Sequence, residues 1–160
     1  MASTVFPAAG GGKTRYCTTL VSGTSWTVPA GVTYVNVTLR GGGGGAGKGG
    51  TSSNPATTKG NGGSIVTSTL STTPGASITY AIGAGGAGAT ADYTAGSTGG
   101  DTTFTGATTA SGGGGSQGGT GGSASNGTNY LSAENGAPIA LIGDNGRAGG
   151  SGSIDVEYWV

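Results

Sequence analysis

Residues 41–50 read GGGGGAGKGG, eight glycines in ten positions, and they follow directly on TYVNVTLR, an alternating stretch that suits a β-strand. A quarter of the chain is glycine, 40 of 160 residues, against a usual share of about 7 per cent. Each glycine loses more backbone freedom on folding than any other residue, at roughly 1–2 kcal/mol per residue fixed. A chain of this kind must therefore either leave its glycine runs as solvated tethers or offset that cost by packing them. The runs lie at 41–50, 83–88 and 112–122, with a looser fourth from Gly143 to Gly152, and they alternate with strand-like segments. Strands that must pair across such runs cannot tolerate long unstructured loops between them, because structureless loops beyond about 12–15 residues are uncommon within a compact domain. The expectation is that the runs are architecture. A polyproline-II-like helix has three residues per turn and no internal hydrogen bonds. Without side chains, several such helices can approach closely and bond N–H to C=O across neighbours, with Cα–H···O contacts as a second-order addition. The strict Gly-X-Y repeat of collagen is absent.

Apolar residues at helical spacing are nearly missing. Strand patterns recur instead. In YVNVTLR, Val35, Val37 and Leu39 alternate with Asn36, Thr38 and Arg40, and in SIDVEYWV, Ile154, Val156 and Tyr158 alternate with Asp155, Glu157 and Trp159. ASITYAIG sets Ile78, Tyr80 and Ile82 on one face, and SIVTSTLS, DTTFTGATTA, YCTTLVSG and SWTVP complete the set. PAG at 29–31 and TPG at 73–75 read as turns, with proline presetting φ and glycine free to take a positive φ. Six or seven short strands separated by turns predict an all-β fold, an antiparallel β-sandwich or a barrel-like sheet pair.

Composition narrows the function classes. Charged residues are 8 per cent and the net charge is zero, so no basic surface is expected to neutralise phosphates and nucleic acid is not an expected partner. There is no histidine, and Cys17 is the single cysteine, which removes a disulfide framework and the usual zinc ligands. The N-terminal residues lack the pattern of a signal peptide, and no apolar run approaches the ~20 residues of a membrane helix. The expectation is synthesis in the cytoplasm without membrane insertion. GGGKT at 10–14 imitates a phosphate-binding loop, but Pro7 stands where its first glycine belongs. GAGGAG at 83–88 satisfies G-x-G-x-x-G, but no helix follows to hold a pyrophosphate. Asp155 and Glu157, two residues apart on one strand face, match the carboxylate pair of glycoside hydrolysis only in spacing, and a solvated strand face accounts for them. DNG at 144–146 reads as a turn rather than a calcium loop. Neither a catalytic residue, a cofactor nor a metal site is expected.

In one order along the chain stand SWTVPAGVTYVNVTLRGGGGGAGKGG, GGSIVTSTLSTTPGASITYAIGAGGAG, GGDTTFTGATTASGGGGSQGG and GGSGSIDVEYWV. This order resembles the glycine-rich domains of bacteriophage tail-fibre, receptor-binding and other virion surface proteins, and the resemblance covers about residues 24–160. It implies a sandwich with polyglycine-II helices and with variable segments exposed at one end. Those segments are 51–61, 89–98 and 123–142, and in the adhesin members they contact a host receptor. Tyr93 and Tyr130, with Asn129 and Leu131 beside the latter, are the candidate contacts, because a tyrosine ring gives a rigid amphipathic face for a glycan or an outer-membrane protein. Residues 1–23 fall outside the resemblance and read as an N-terminal arm in which Val5, Phe6 and Pro7 could seat in another virion protein. The resemblance thus implies a non-enzymatic virion protein, either a structural or decoration subunit or a fibre-tip adhesin. Its expected location is the virion and its expected partners are other virion proteins. Fibre proteins are often trimers, which makes a homotrimer an expected assembly although no coiled-coil pattern is present. A cellular glycine-rich adhesion or matrix module is the remaining class.

Overall fold

The computed structural model of the protein describes residues 2–6, 12–48, 59–116 and 147–160, and of residues 2–6 the strand pairing alone. The described residues hold eight strands and no helix: β1 (Ala2–Phe6), β2 (Arg15–Leu20), β3 (Ser25–Thr27), β4 (Tyr34–Arg40), β5 (Ile65–Ser71), β6 (Ser77–Ala81), β7 (Thr103–Phe104) and β8 (Ser153–Trp159). They form two antiparallel sheets, one ordered β1-β2-β8-β4-β5 and one ordered β3-β6-β7.

The alternation in β4 and β8 sets their inner faces. Val35, Val37, Leu39, Ile154 and Val156 are wholly buried and Tyr158 nearly so, each contributing on the order of 1.5–3 kcal/mol by leaving water. The smaller sheet closes the core with Trp26, Tyr80 and Phe104. Trp26 lies 5.9 Å from Tyr158 and 6.4 Å from Phe104, ring centre to ring centre, and Tyr16 stacks on Tyr158 at 5.4 Å. The Tyr80 hydroxyl, carried into this core, donates to Ser22 O at 2.8 Å, so its polar end is satisfied. Both proline–glycine turns are present: Val32 N donates to Pro29 O and Ala76 N to Thr73 O, with Gly31 and Gly75 at φ near +80°, a conformation glycine adopts without steric cost.

Two sequence expectations change here. DTTFTGATTA supplies only the two-residue strand β7. The described strands of the expected arm 1–23 join the sheet: β2 pairs with β8 along its whole length, Leu20 is fully buried in the core, and β1 extends the sheet beyond β2. The apolar side chain of Leu20 needs the core, and this draws its strand into the sheet. Val5 and Phe6 take register positions opposite Tyr16 and Arg15 on the edge strand β1, and Pro7 lies outside the described residues.

The glycine runs pack on one another. Gly41 N donates to Ser64 O, Gly42 N to Gly100 O and Gly43 N to Gly150 O. Gly44 N then donates to Asn61 O, Gly45 N to Ser97 O and Ala46 N to Arg147 O, all at 2.8–3.0 Å. Every third residue returns to the same neighbour, and the acceptor numbers fall by three, so these three neighbours run antiparallel to 41–46. In the other direction Gly113 and Ser116 N donate to Gly42 and Gly45 O, while Gly86 and Ala89 N donate to Gly43 and Ala46 O, from neighbours that run parallel. A repeat of three in partner choice is what a polyproline-II-like helix presents, since its N–H and C=O groups all point sideways. Segment 41–46 is thus surrounded by 59–64, 83–89, 96–101, 111–116 and 147–152, which are also bonded in sequence around it. Asn61 and Ser64 bond Gly114 and Ser111, Gly99 and Gly96 bond Gly113 and Ser116, Ser97 and Gly100 bond Ala87 and Ala84, and Gly149 and Gly152 bond Gly86 and Gly83.

Position in this bundle decides composition. Gly41–Gly47, at its centre, are all buried, and a Cβ added at Gly42, Gly44 or Gly45 would lie 2.0–2.2 Å from a backbone carbonyl oxygen of a neighbour. An outer segment has one free side. In 83–90 the buried residues are Gly83, Gly86 and Ala89, while Ala84, Ala87 and Thr90 are exposed, again a repeat of three. Two bundle members, 59–64 and 96–101, were not among the expected glycine runs. Their signal is glycine at three-residue spacing, Gly60 with Gly63 and Gly96 with Gly99, and each of these faces the central segment at a distance that excludes a Cβ. The last residues of the expected variable segments 51–61 and 89–98 therefore belong to the bundle.

Candidate functional site

The bundle has a sandwich end and a far end. Gly41 follows β4, Ser64 precedes β5, and Gly152 precedes β8, so these residues sit against the sheets. Six residues of a polyproline-II-like helix advance roughly 19 Å, which carries Ala46, Ala89, Gly96, Ser116 and Arg147 to the opposite end, where they are bonded together. Three crossings join in sequence the bundle segments that end there, residues 49–58, 90–95 and 117–146. Of the three crossings, 90–95 lies within the described residues. Asn129, Tyr130 and Leu131 lie outside them.

The 90–95 crossing is braced. Lys48, directly beyond the central segment, extends Nζ to Asp92 Oδ1 at 3.1 Å and donates to Thr90 O at 3.2 Å, while its backbone N donates to Thr94 O at 3.1 Å. Thr94 Oγ1 donates to Ala91 O. Exposed ion pairs usually contribute less than about 1 kcal/mol, but the Lys48 side chain is only 15 per cent exposed and its contacts converge on one turn. At the apex stands Tyr93, with φ at 57°, the only described non-glycine residue with a positive φ, and with 62 per cent of its surface exposed. The left-handed conformation costs a residue of this type roughly 1–2 kcal/mol, and Tyr93 makes no ring contact with another described aromatic. The turn thus holds an aromatic side chain out into solvent from a rigid base. Sequence reasoning singled out Tyr93 but not its support, because Lys48 lies 45 positions from it.

Elsewhere the described carboxylates have structural partners. Asp101 Oδ1 accepts from Gly112 N at 2.8 Å, tying two bundle segments. On the outer face of the larger sheet, Glu157 pairs with Arg15, and Asp155 accepts from Arg40 Nη1 at 2.6 Å and from Thr19 Oγ1 at 2.7 Å. The carboxylate pair of the last strand is thus held by two guanidinium groups, a cross-strand arrangement that ties β8 to β2 and β4. Thr69 Oγ1 donates to Asn36 Oδ1 on the same face, and Tyr34 stacks on Trp159 at 5.8 Å. No group of three metal-ligating side chains occurs among the described residues.

Cys17 sits on this face, half-buried, opposite Glu157. Burial pushes its thiol pKa up, and the negative charges of Asp155 and Glu157 push it further, with Arg15 and Arg40 opposing. Because the thiolate is the nucleophile, Cys17 in the folded protein should react with iodoacetamide at pH 8 several-fold more slowly than in denaturant. A folded-state pKa above the unfolded value also means that this group's contribution to stability is complete below the unfolded pKa and is lost as pH rises through the folded one. Cys17→Ser should therefore flatten the loss of stability above about pH 8.5, measured by urea unfolding. Equal alkylation rates in the two states would refute this account of the thiol.

A family model described as glycine-rich domain matches residues 18–158. No curated protein matches the chain. The matched span begins inside β2, ends inside β8 and takes in every segment of the glycine bundle, and on that match the chain belongs to the glycine-rich domain family.

Proposed function

We propose that this protein is a non-enzymatic surface component of a bacteriophage virion, a structural or decoration subunit or part of a fibre. The observation that carries the reading is the bundle itself: six glycine-rich segments from distant parts of the chain, held together mainly through backbone hydrogen bonds. Such a body presents few side chains, in a chain without net charge, and offers a protease little free backbone to engage, which suits a cover or spacer on a particle exterior. Its partners in this reading are other virion proteins. Val5 and Phe6 would make the attachment from an edge strand rather than from a tether. Gold-labelled antibody on particles tests the proposal: label over the shell, tail or fibre shaft supports it, and absence of label from every particle sinks it.

One observation favours a second reading, a fibre-tip adhesin that grips a host glycan or outer-membrane protein. Tyr93 is displayed at the far end of the bundle in a conformation that its bracing residues hold, and such strained positions cluster at binding sites. In that reading Tyr93→Ala should reduce binding to host cells at least tenfold while leaving the melting temperature unchanged. Tyr93→Gly should also lose binding yet stabilise the fold by about 1 kcal/mol, since glycine adopts positive φ freely. Full cell binding by both variants would leave the structural reading alone.

A further inference from the structure

Among the described residues, the larger sheet ends in an open edge. β5 is the last strand in the order β1-β2-β8-β4-β5. In its antiparallel ladder with β4 the hydrogen-bonding side alternates residue by residue. The flanking bonds, Thr72 N to Thr33 O and Gly41 N to Ser64 O, put the even-numbered residues of β5 on the β4 side. Ile65, Thr67, Thr69 and Ser71 therefore turn their N–H and C=O groups outward, and no described backbone group bonds them there. Thr67, Thr69 and Ser71 are exposed.

Edges of this length are normally blunted by charge, proline or a bulge. β5 reads IVTSTLS, seven residues without a charge, a proline or a glycine. On its inner face, Val66 and Leu70 pack against the core yet stay only half-buried. The edges of the smaller sheet are strands of three and two residues, too short to offer the same template.

We infer that β5 pairs with β5 of a second copy of this chain, antiparallel about a two-fold axis at Ser68, joining two five-stranded sheets into one. This register is self-complementary at every position. It sets Ile65 opposite Ser71 and Thr67 opposite Thr69, which are the residues whose backbone groups face outward, so about eight new backbone hydrogen bonds form. It sets Val66 opposite Leu70 on the inner face, where each covers the other's exposed apolar surface. Thr67 and Thr69 meet on the outer face as a threonine pair, a favourable cross-strand combination. At the axis, Ser68 faces Ser68 in the closer, non-hydrogen-bonded type of pair, while Thr108 N donates to its Oγ at 3.4 Å from the same chain. An isologous contact of this kind closes as a dimer. The inference rests on the sheet alone and is independent of the particle on which the protein sits.

The test is sedimentation equilibrium of the full chain from about 1 to about 300 µM, which spans dissociation constants in the range typical of a modest interface. The expected result is a monomer–dimer equilibrium. Thr67→Lys/Thr69→Lys, which opposes like charges across the axis, should weaken it at least tenfold. Thr69→Pro, which removes an outward N–H without touching the β4 ladder, should do the same. Circular dichroism melts of both variants show whether they are folded. Independently, Ser68→Cys in a Cys17→Ser background should form an intermolecular disulfide, since Cα atoms in such a pair lie about 4.5 Å apart, within disulfide reach. A monomer throughout the range, a dimer indifferent to the lysine pair, or a Ser68→Cys chain that stays reduced under oxidising conditions would each overturn the inference. So would open-ended oligomers that persist in the lysine variant.

Discussion

Gly44→Val is expected to abolish the cooperative fold, with a loss exceeding about 4 kcal/mol, a range reached by few single substitutions. Gly44 lies in the central bundle segment and is buried on all sides. A Cβ there would stand 2.1 Å from Gly114 O and 2.5 Å from the Gly114 carbonyl carbon. These are backbone atoms in a bonded segment and have no rotamer into which to withdraw. Relief would require 111–116 to move outward, breaking its bonds to 41–46, to 59–64 and to 96–101 together. Against a typical total stability of about 5–15 kcal/mol, this loss leaves little folded protein. The control is Ala87→Val in the same bundle: Ala87 is exposed on an outer segment, and the change should stay within about 0.5 kcal/mol. Urea unfolding followed by circular dichroism measures both. A Gly44→Val protein that unfolds with the wild type would show that the glycine run is solvated and that the bundle is wrong.

Phe104→Ala should cost about 3–5 kcal/mol, the usual range for truncating a fully buried phenylalanine. Phe104 is 2 per cent exposed and lies between Trp26 and Tyr80, with ring centres 6.4 Å from each. β7 is only two residues long, so its ladder with β6 cannot hold it, and the ring does. The substitution should lower the denaturant midpoint and alter the emission of Trp26, which loses its neighbour. Thr103→Ala, on the exposed side of the same strand, should leave both within error. A cost below about 1 kcal/mol would mean that Phe104 is not the anchor of the smaller sheet.

The all-β class and most strands were legible because alternation is a local signal: a residue's neighbours two positions away tell which face it takes. Thus β4 and β8 could be read with their faces, and so could the turns at Gly31 and Gly75. The weak strands went less well. DTTFTGATTA carries β-branched residues over ten positions, yet it yields only the strand Thr103–Phe104 and a single bridge between Thr102 and Ala110, because β-propensity is mostly a record of packing and does not create it. Residues 15–20 read as a strand but were grouped with an arm, since nothing local says that Leu20 pairs with Ile154 of the last strand. Of the candidate site, Tyr93 was legible as an aromatic in a polar crossing, but its left-handed conformation and its support by Lys48 and Asp92 were not.

The sequence by itself determined that the glycine runs had to be either packed or lost to solvent, and which residues of the longer strands face the core. It also determined, through Gly60, Gly63, Gly96 and Gly99, a repeat of three that marks further bundle members. Only the tertiary structure decided which run lies at the centre, which neighbours run parallel or antiparallel to it, and which end carries the crossings. The physical reason is that glycine has no side chain with which to specify a partner. Any run offers the same N–H, C=O and Cα–H groups, so its neighbours are chosen by where the strands of the sandwich deliver each run and by the closure of the hydrogen bonds that follow. Segment 41–46 continues from β4, which lies inside the larger sheet between β8 and β5, and at Gly42, Gly44 and Gly45 its neighbours leave room for hydrogen alone.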